Sequence, residues 1–170
     1  MGLAALAAGS TINGCLGGAG PVRGAPDPRV AQVVEVIDGD SIRVRFVSGT
    51  VRSVRYIGID TPETPWSPRA PRGGECFWRE AKDANEDLVD GRRVQLRYDA
   101  ERQDRYGRLL AYVRRRPDGR FRNEHLIAEG LARPLAIRPN IRHARRFEEL
   151  ATRARRQRRG MWAECPVRPR

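Results

Sequence analysis

Asp40 follows the turn dipeptide Asp38-Gly39, and Asp60 closes an apolar run at Asp60-Thr61-Pro62-Glu63. If the runs carrying them are neighbouring antiparallel strands, the two carboxylates converge. Two carboxylates, backbone carbonyls and water are the donors a hard cation such as Ca²⁺ takes. Each residue alone has a plainer explanation, since Asp is common beside Gly in hairpins and can cap a strand end. Zinc is a poor fit: two separated histidines and three cysteines without a C-x-x-C give no ligand set. Arg55 stands in an otherwise apolar stretch with Ile57 and Ile59, where a charge needs a partner or a function. Arg108 ends the polar run Asp104-Arg105-Tyr106-Gly107-Arg108. A guanidinium suits phosphate because its planar fork meets two oxygens at once. Glu63 could orient or deprotonate a water. Two arginines, a cation and one further carboxylate are the parts of a phosphoryl-transfer site, where positive charge offsets the charge that develops on the phosphate oxygens.

The elements that must position these residues have readable patterns. Val33 to Ile37 is β-branched and apolar, and Asp38-Gly39 is a hairpin turn. Ile42, Val44 and Phe46 alternate with Arg43 and Arg45, the period of a half-buried strand. Val51 to Ile59 reads as a third strand in a meander. Thr64 to Gly74, rich in Pro and Gly, reads as a surface loop. Phe77, Ala81, Ala84 and Leu88 give Glu75 to Val89 a helical stripe. Val94 to Tyr98 and Leu109 to Val113 are two more strands. Asn123 is suited to cap a short helix over Glu124 to Glu129, and a last helix spans about Ile141 to Arg159, stopped by Gly160. The order is βββ-α-ββ-α-α. Five short strands with a helix between the third and fourth predict a mainly β, α+β fold: a five-stranded OB-fold barrel with about three helices.

Charge is consistent with a phosphate-bearing partner. Thirty-three basic residues face 21 acidic ones, a net charge of +12, and Lys82 is the only lysine. Such an excess points to a polyanion, nucleic acid before an anionic membrane, although an arginine-biased genome would also fill a surface with Arg. Residues 1–28 are Gly- and Ala-rich and carry only Arg23 and Asp27 as charges, so the whole excess lies on 29–170. The division expected is a leader-like, flexible tail over 1–28 and one domain over 29–170. Gly2 to Ala8 has the size of a secretory apolar region without a basic start, and Ile12-Asn13-Gly14-Cys15 looks like a bacterial lipobox. Export is expected, either secreted or anchored to the cell envelope by lipid on Cys15; a disordered start is the alternative. If Cys15 carries lipid, Cys76 and Cys165 remain, and an exported domain favours their disulfide over two free thiols.

Four separated stretches carry a resemblance: Val36-Ile37-Asp38-Gly39-Asp40-Ser41, Val54-Arg55-Tyr56-Ile57-Gly58-Ile59-Asp60-Thr61-Pro62-Glu63-Thr64, Asp104-Arg105-Tyr106-Gly107-Arg108 and Asn123-Glu124. In order and spacing the chain resembles the thermonuclease (staphylococcal or micrococcal nuclease) family from residue 30 to about 163. The resemblance implies an OB-fold and a Ca²⁺-dependent phosphodiesterase acting on DNA and RNA, with single strands favoured, working as a monomer. By motif, Asp40, Asp60 and the Thr61 carbonyl would ligate Ca²⁺, with Asp38 a carboxylate just behind them. Arg55 and Arg108 would bind the scissile phosphate and Glu63 would act on the attacking water. Tyr106 would hydrogen-bond near the nucleotide phosphate, and Arg105 would add positive charge. The family breaks the 5′ P–O bond and leaves 3′-phosphates.

In one place the sequence departs from the best-known member, which stacks tyrosines on the nucleotide ahead of its last helix. Here Arg133-Pro134-Leu135-Ala136-Ile137-Arg138-Pro139 has no aromatic ring, so base preference does not transfer. Trp78 and Trp162 read as packing residues, and His125 and His143 as surface or capping residues. Trp66 lies beside Glu63 in the Pro-rich loop, where packing competes with a substrate contact. The residual alternatives are a non-catalytic nucleic-acid-binding OB module and a cell-surface adhesive lipoprotein. Against the first stands the joint retention of Asp40, Arg55, Asp60, Glu63 and Arg108.

Overall fold

The computed structural model describes residues 27–68 and 70–166. The lipobox, Cys15 and nearly all of the leader-like stretch lie outside them. The apolar alternations read above become β1 (Val30–Val36), β2 (Ser41–Phe46), β3 (Val51–Tyr56), β5 (Arg93–Arg97) and β6 (Leu109–Arg115). They close a barrel in the order β1-β2-β3-β6-β5. The pairings are antiparallel except β3 with β6, which is parallel. Every second side chain points inward, so Val33, Ile42, Val44, Val54, Val94, Leu96, Ala111 and Val113 fill the interior.

The third run is not one continuous strand. It stops at Tyr56, turns through Ile57-Gly58, and resumes as β4 (Ile59–Asp60). β4 leaves the barrel to pair with β7 (Arg133–Pro134), a strand the sequence pattern does not disclose. Gly58 makes the turn possible: its φ is +80°, and a Cβ there would sit 2.6 Å from the Phe147 ring. The break re-aims the chain, so Asp60 projects from a separate ribbon instead of from the barrel wall.

Four helices complete the fold, one more than the pattern suggests: α1 (Trp78–Val89), α2 (Arg122–Ala128), α3 (Ala144–Arg156) and the short α4 (Met161–Glu164). Phe147, Leu150, Ala151 and Ala154 bury one stripe of α3 while its arginines face water. One expectation is corrected and one is qualified. Asn123 is not a cap; it lies in the first turn of α2, fully buried, and its side chain bonds the backbone of two other segments. His143 does hold the N-cap position of α3, but without a side-chain cap bond; its half-buried ring packs edge-on to Tyr112 at 4.5 Å and stacks on Phe147 at 5.8 Å. Cys76 and Cys165 form a disulfide that ties the segment before α1 to the end of α4.

Candidate active site

The mouth of the barrel at the β1–β2 turn gathers the expected residues. A cavity of about 20 Å³, room for one ion or water, is lined by Asp38, Asp40, Ser41, Arg55, Thr61, Pro62, Glu63 and Arg108. Register builds it. Ser41 lies opposite Arg55 across β2 and β3, and the Tyr56 amide donates to the Asp40 carbonyl at 2.9 Å. Asp40 therefore arrives beside the guanidinium of Arg55.

Asp40 is buried, and both of its oxygens accept hydrogen bonds. Oδ2 accepts from the Thr61 amide at 2.8 Å and the Thr61 hydroxyl at 3.0 Å, and Oδ1 accepts from the Ser41 hydroxyl at 3.2 Å. Gly39 permits this approach, since a Cβ there would stand 2.8 Å from the Thr61 side chain. Arg55 links the two expected metal-binding carboxylates: Nη1 pairs with Asp40 and Nη2 donates to Asp60 Oδ1 at 2.9 Å. Burial pulls the Arg55 guanidinium below its ordinary pKa, opposed by Asp60 and Asp38. Burial likewise pushes the Asp38 carboxyl above the usual range against the pull of Arg55 and Arg108. Asp38 also accepts the Asp40 amide at 2.9 Å, which shapes the turn.

Arg108 reaches the same cavity from the β5–β6 loop. Asp104 orients it, accepting from its amide at 2.9 Å and from Nε at 2.7 Å. Although burial works against ionisation of Asp104, the bonds from Arg108 hold its carboxyl below the usual range. Glu63 has its backbone clamped by Glu75: the Glu63 amide donates to Glu75 Oε2 at 3.3 Å, and the Glu75 amide donates to the Glu63 carbonyl at 2.9 Å.

Asp60 lies just outside this cavity, on the wall of an adjoining one of about 520 Å³. Arg55 and Arg108 line both. Tyr106 and Arg105 stand at the second cavity, and the Arg105 guanidinium lies 4.8 Å from the Tyr106 ring centre while its Nη2 donates to the phenol oxygen at 2.6 Å. Leu135 and Ile137 face it where a ring is lacking.

The expected ligands would offer a hard cation oxygen donors only. Asp40, Asp60 and the Thr61 carbonyl are all oxygen donors, and the small cavity is lined almost wholly by polar groups. Among the described residues no group of three or more His, Cys, Asp or Glu assembles.

Three buried amides position the site through bonds the sequence does not disclose, although Asn123 belongs to one of the family-like stretches. Asn85 Nδ2 donates to the Asp38 carbonyl at 3.0 Å while its oxygen accepts from Tyr56. Asn123 Nδ2 donates to the Ile57 carbonyl at 2.8 Å, holding the turn before Asp60, and its oxygen accepts from the Val113 amide. Asn140 bonds both backbone groups of Glu101 at 2.8 Å, joining two walls of the larger cavity.

A closed five-stranded barrel with a buried carboxylate–arginine pocket at its mouth defines an OB-fold protein equipped for phosphate chemistry. Comparison with known proteins narrows the class. Residues 53–164 match the family described as staphylococcal nuclease homologue, and the chain belongs to that family. It is 39% identical over 134 residues to a thermonuclease of Staphylococcus hyicus, covering 78% of this chain and 75% of the relative. It is similar at 39% identity to the SPbeta prophage-derived endonuclease YokF of Bacillus subtilis, covering 75% of this chain but 42% of that protein. A micrococcal nuclease of Shigella flexneri is 32% identical, covering 78% of this chain and 73% of the relative. The chain is therefore a hydrolase of the phosphodiesterase, endonuclease type.

Proposed function

We propose that this protein is a Ca²⁺-dependent nuclease that hydrolyses phosphodiester bonds of DNA and RNA, favours single strands and works as a monomer. The observation that supports it best is the meeting of Asp40, Thr61, Glu63, Arg55 and Arg108 around one cavity that opens beside a second of nucleotide size.

In this reading Asp40, Asp60 and the Thr61 carbonyl would hold Ca²⁺, which would supply positive charge against the phosphate oxygens. Arg55 and Arg108 grip the scissile phosphate from two sides, and both are preset by carboxylates, so little reorganisation is needed as charge develops. Glu63 orients the attacking water and takes its proton. The 5′ P–O bond breaks, leaving a 3′-phosphate and a free 5′-hydroxyl. Tyr106 bonds the nucleotide phosphate and Arg105 adds positive charge at the larger cavity. Asp38 keeps the Asp40 turn in shape.

Titration calorimetry with Ca²⁺ tests the site apart from turnover. Asp40→Asn and Asp60→Asn should each weaken binding at least about tenfold, and unchanged binding in both would remove the assignment. We further propose export to the cell envelope with lipid on Cys15; metabolic labelling with a fatty acid should mark the full chain and leave Cys15→Ala unlabelled.

A further inference from the structure

Trp66 is the most exposed large apolar side chain near the site, 76% exposed, three residues beyond Glu63. Several contacts tie its setting. Thr64 to Ser67 form a tight turn, with the Ser67 amide bonded to the Thr64 carbonyl at 3.0 Å, and Trp66 sits at its tip. The Trp66 ring stands edge-to-face on Trp78, centres 5.7 Å apart at 84°. Trp78 is itself fixed by donation from Nε1 to the Gly73 carbonyl at 3.0 Å. Gly74 is required there: its φ is +84°, and a Cβ would lie 2.5 Å from the Trp78 ring. The base of the loop is held by the Glu63–Glu75 bonds and by the Cys76–Cys165 disulfide. Arg79 lies over Trp78 at 5.0 Å, so the aromatic pair has a cationic flank.

Trp66 is braced through its edge contact with Trp78 and keeps most of its surface in water. A braced, solvent-facing indole whose partner ring carries one guanidinium, Arg79, has the form of a stacking platform, since every base offers a π-face and a base–aromatic stack is worth about 1–3 kcal/mol. We propose that Trp66 stacks a base of a single strand running past Glu63. This rests on the nuclease reading and adds a substrate contact to it.

The test uses the full chain. In Glu63→Gln with Ca²⁺, a single-stranded oligonucleotide should quench tryptophan fluorescence, and the further change Trp66→Phe should remove most of the quench. In the cutting enzyme, Trp66→Ala should raise KM for that oligonucleotide about five- to tenfold. Trp66→Phe should restore most of it and Trp66→Leu should not, which separates stacking from apolar bulk. Equal KM values in Trp66→Ala and wild type, with the quench intact in Trp66→Phe, would overturn the platform. So would a Trp66 response to anionic vesicles and none to oligonucleotide. A wild-type chain that quenches but never cuts would sink the nuclease reading and leave the stacking standing.

Discussion

Asp104 grips Arg108 at two points, its Oδ1 accepting the arginine amide at 2.9 Å and its Oδ2 accepting Nε at 2.7 Å. The pair spans the turn at Gly107 and fixes both the loop and the direction of the guanidinium. Asp104→Ala should therefore lower kcat/KM about 10- to 100-fold, as for partners that orient reacting groups. Asp104→Glu should recover only part, because the longer side chain cannot make both bonds unchanged. Steady-state kinetics on an oligonucleotide check this; wild-type kinetics in Asp104→Ala would show that Arg108 needs no guide.

Arg122 is fully buried, and among the described residues its Nη1 and Nη2 make no hydrogen bond; only Nε bonds, to the Arg120 carbonyl at 3.2 Å. Burial lowers its pKa, with Arg115 acting in the same direction. A buried charge with so few partners is a cost to folding. Arg122→Met, similar in length, should stabilise the protein by about 1–3 kcal/mol in denaturant unfolding. A loss of stability would mean that this guanidinium has a use the fold conceals.

The disulfide closes a loop with a sequence separation of 89. By loop-closure entropy its removal should cost about 4.6 kcal/mol. Cys76→Ser with Cys165→Ser, or wild type in dithiothreitol, should shift the unfolding midpoint down together. No shift would mean that packing of α1 and α4 already confines both ends.

Burial lowers the pKa of His143, with Arg142 and Arg114 adding to the effect and Glu124 and Asp99 opposing it. The folded value thus lies below the unfolded value of about 6.5. The unfolded chain then binds the proton more tightly, so this contribution to stability is complete above about pH 6.5 and is lost as pH falls through the folded value. Unfolding free energy should drop between pH 7.5 and about 5. His143→Phe, which keeps the ring cluster with Tyr112 and Phe147, should flatten part of that drop, leaving the share of His125, whose pKa burial also lowers. An unchanged slope would contradict the assignment.

The barrel strands were legible because period-2 alternation reports directly which face is buried, as in Ile42, Val44 and Phe46. That Asp40, Arg55, Glu63 and Arg108 meet at one cavity was suggested by a charge set inside an apolar strand and by the spacing of the four family-like stretches, since Asp at a turn alone has ordinary structural uses. The break at Ile57-Gly58 was not, since Val51 to Ile59 remains apolar and β-branched through the turn; it depends on Phe147 of α3 lying over Gly58. Nor were Asn85, Asn123 and Asn140. An Asn reads the same in sequence whether it caps a helix or joins two distant backbones, and only the fold shows which carbonyl lies within 3 Å.

The most direct measurement is cleavage of denatured DNA and of RNA by the full chain in Ca²⁺, in Mg²⁺ and in chelator, beside Glu63→Gln. The account predicts cutting in Ca²⁺, little in Mg²⁺ because the loose oxygen site suits the larger ion, none in chelator, and at least a hundredfold loss in Glu63→Gln by the usual reach of a general base, about 10²–10⁴. Nucleic acid bound but left uncut in every condition, or cutting undiminished in chelator, would contradict it.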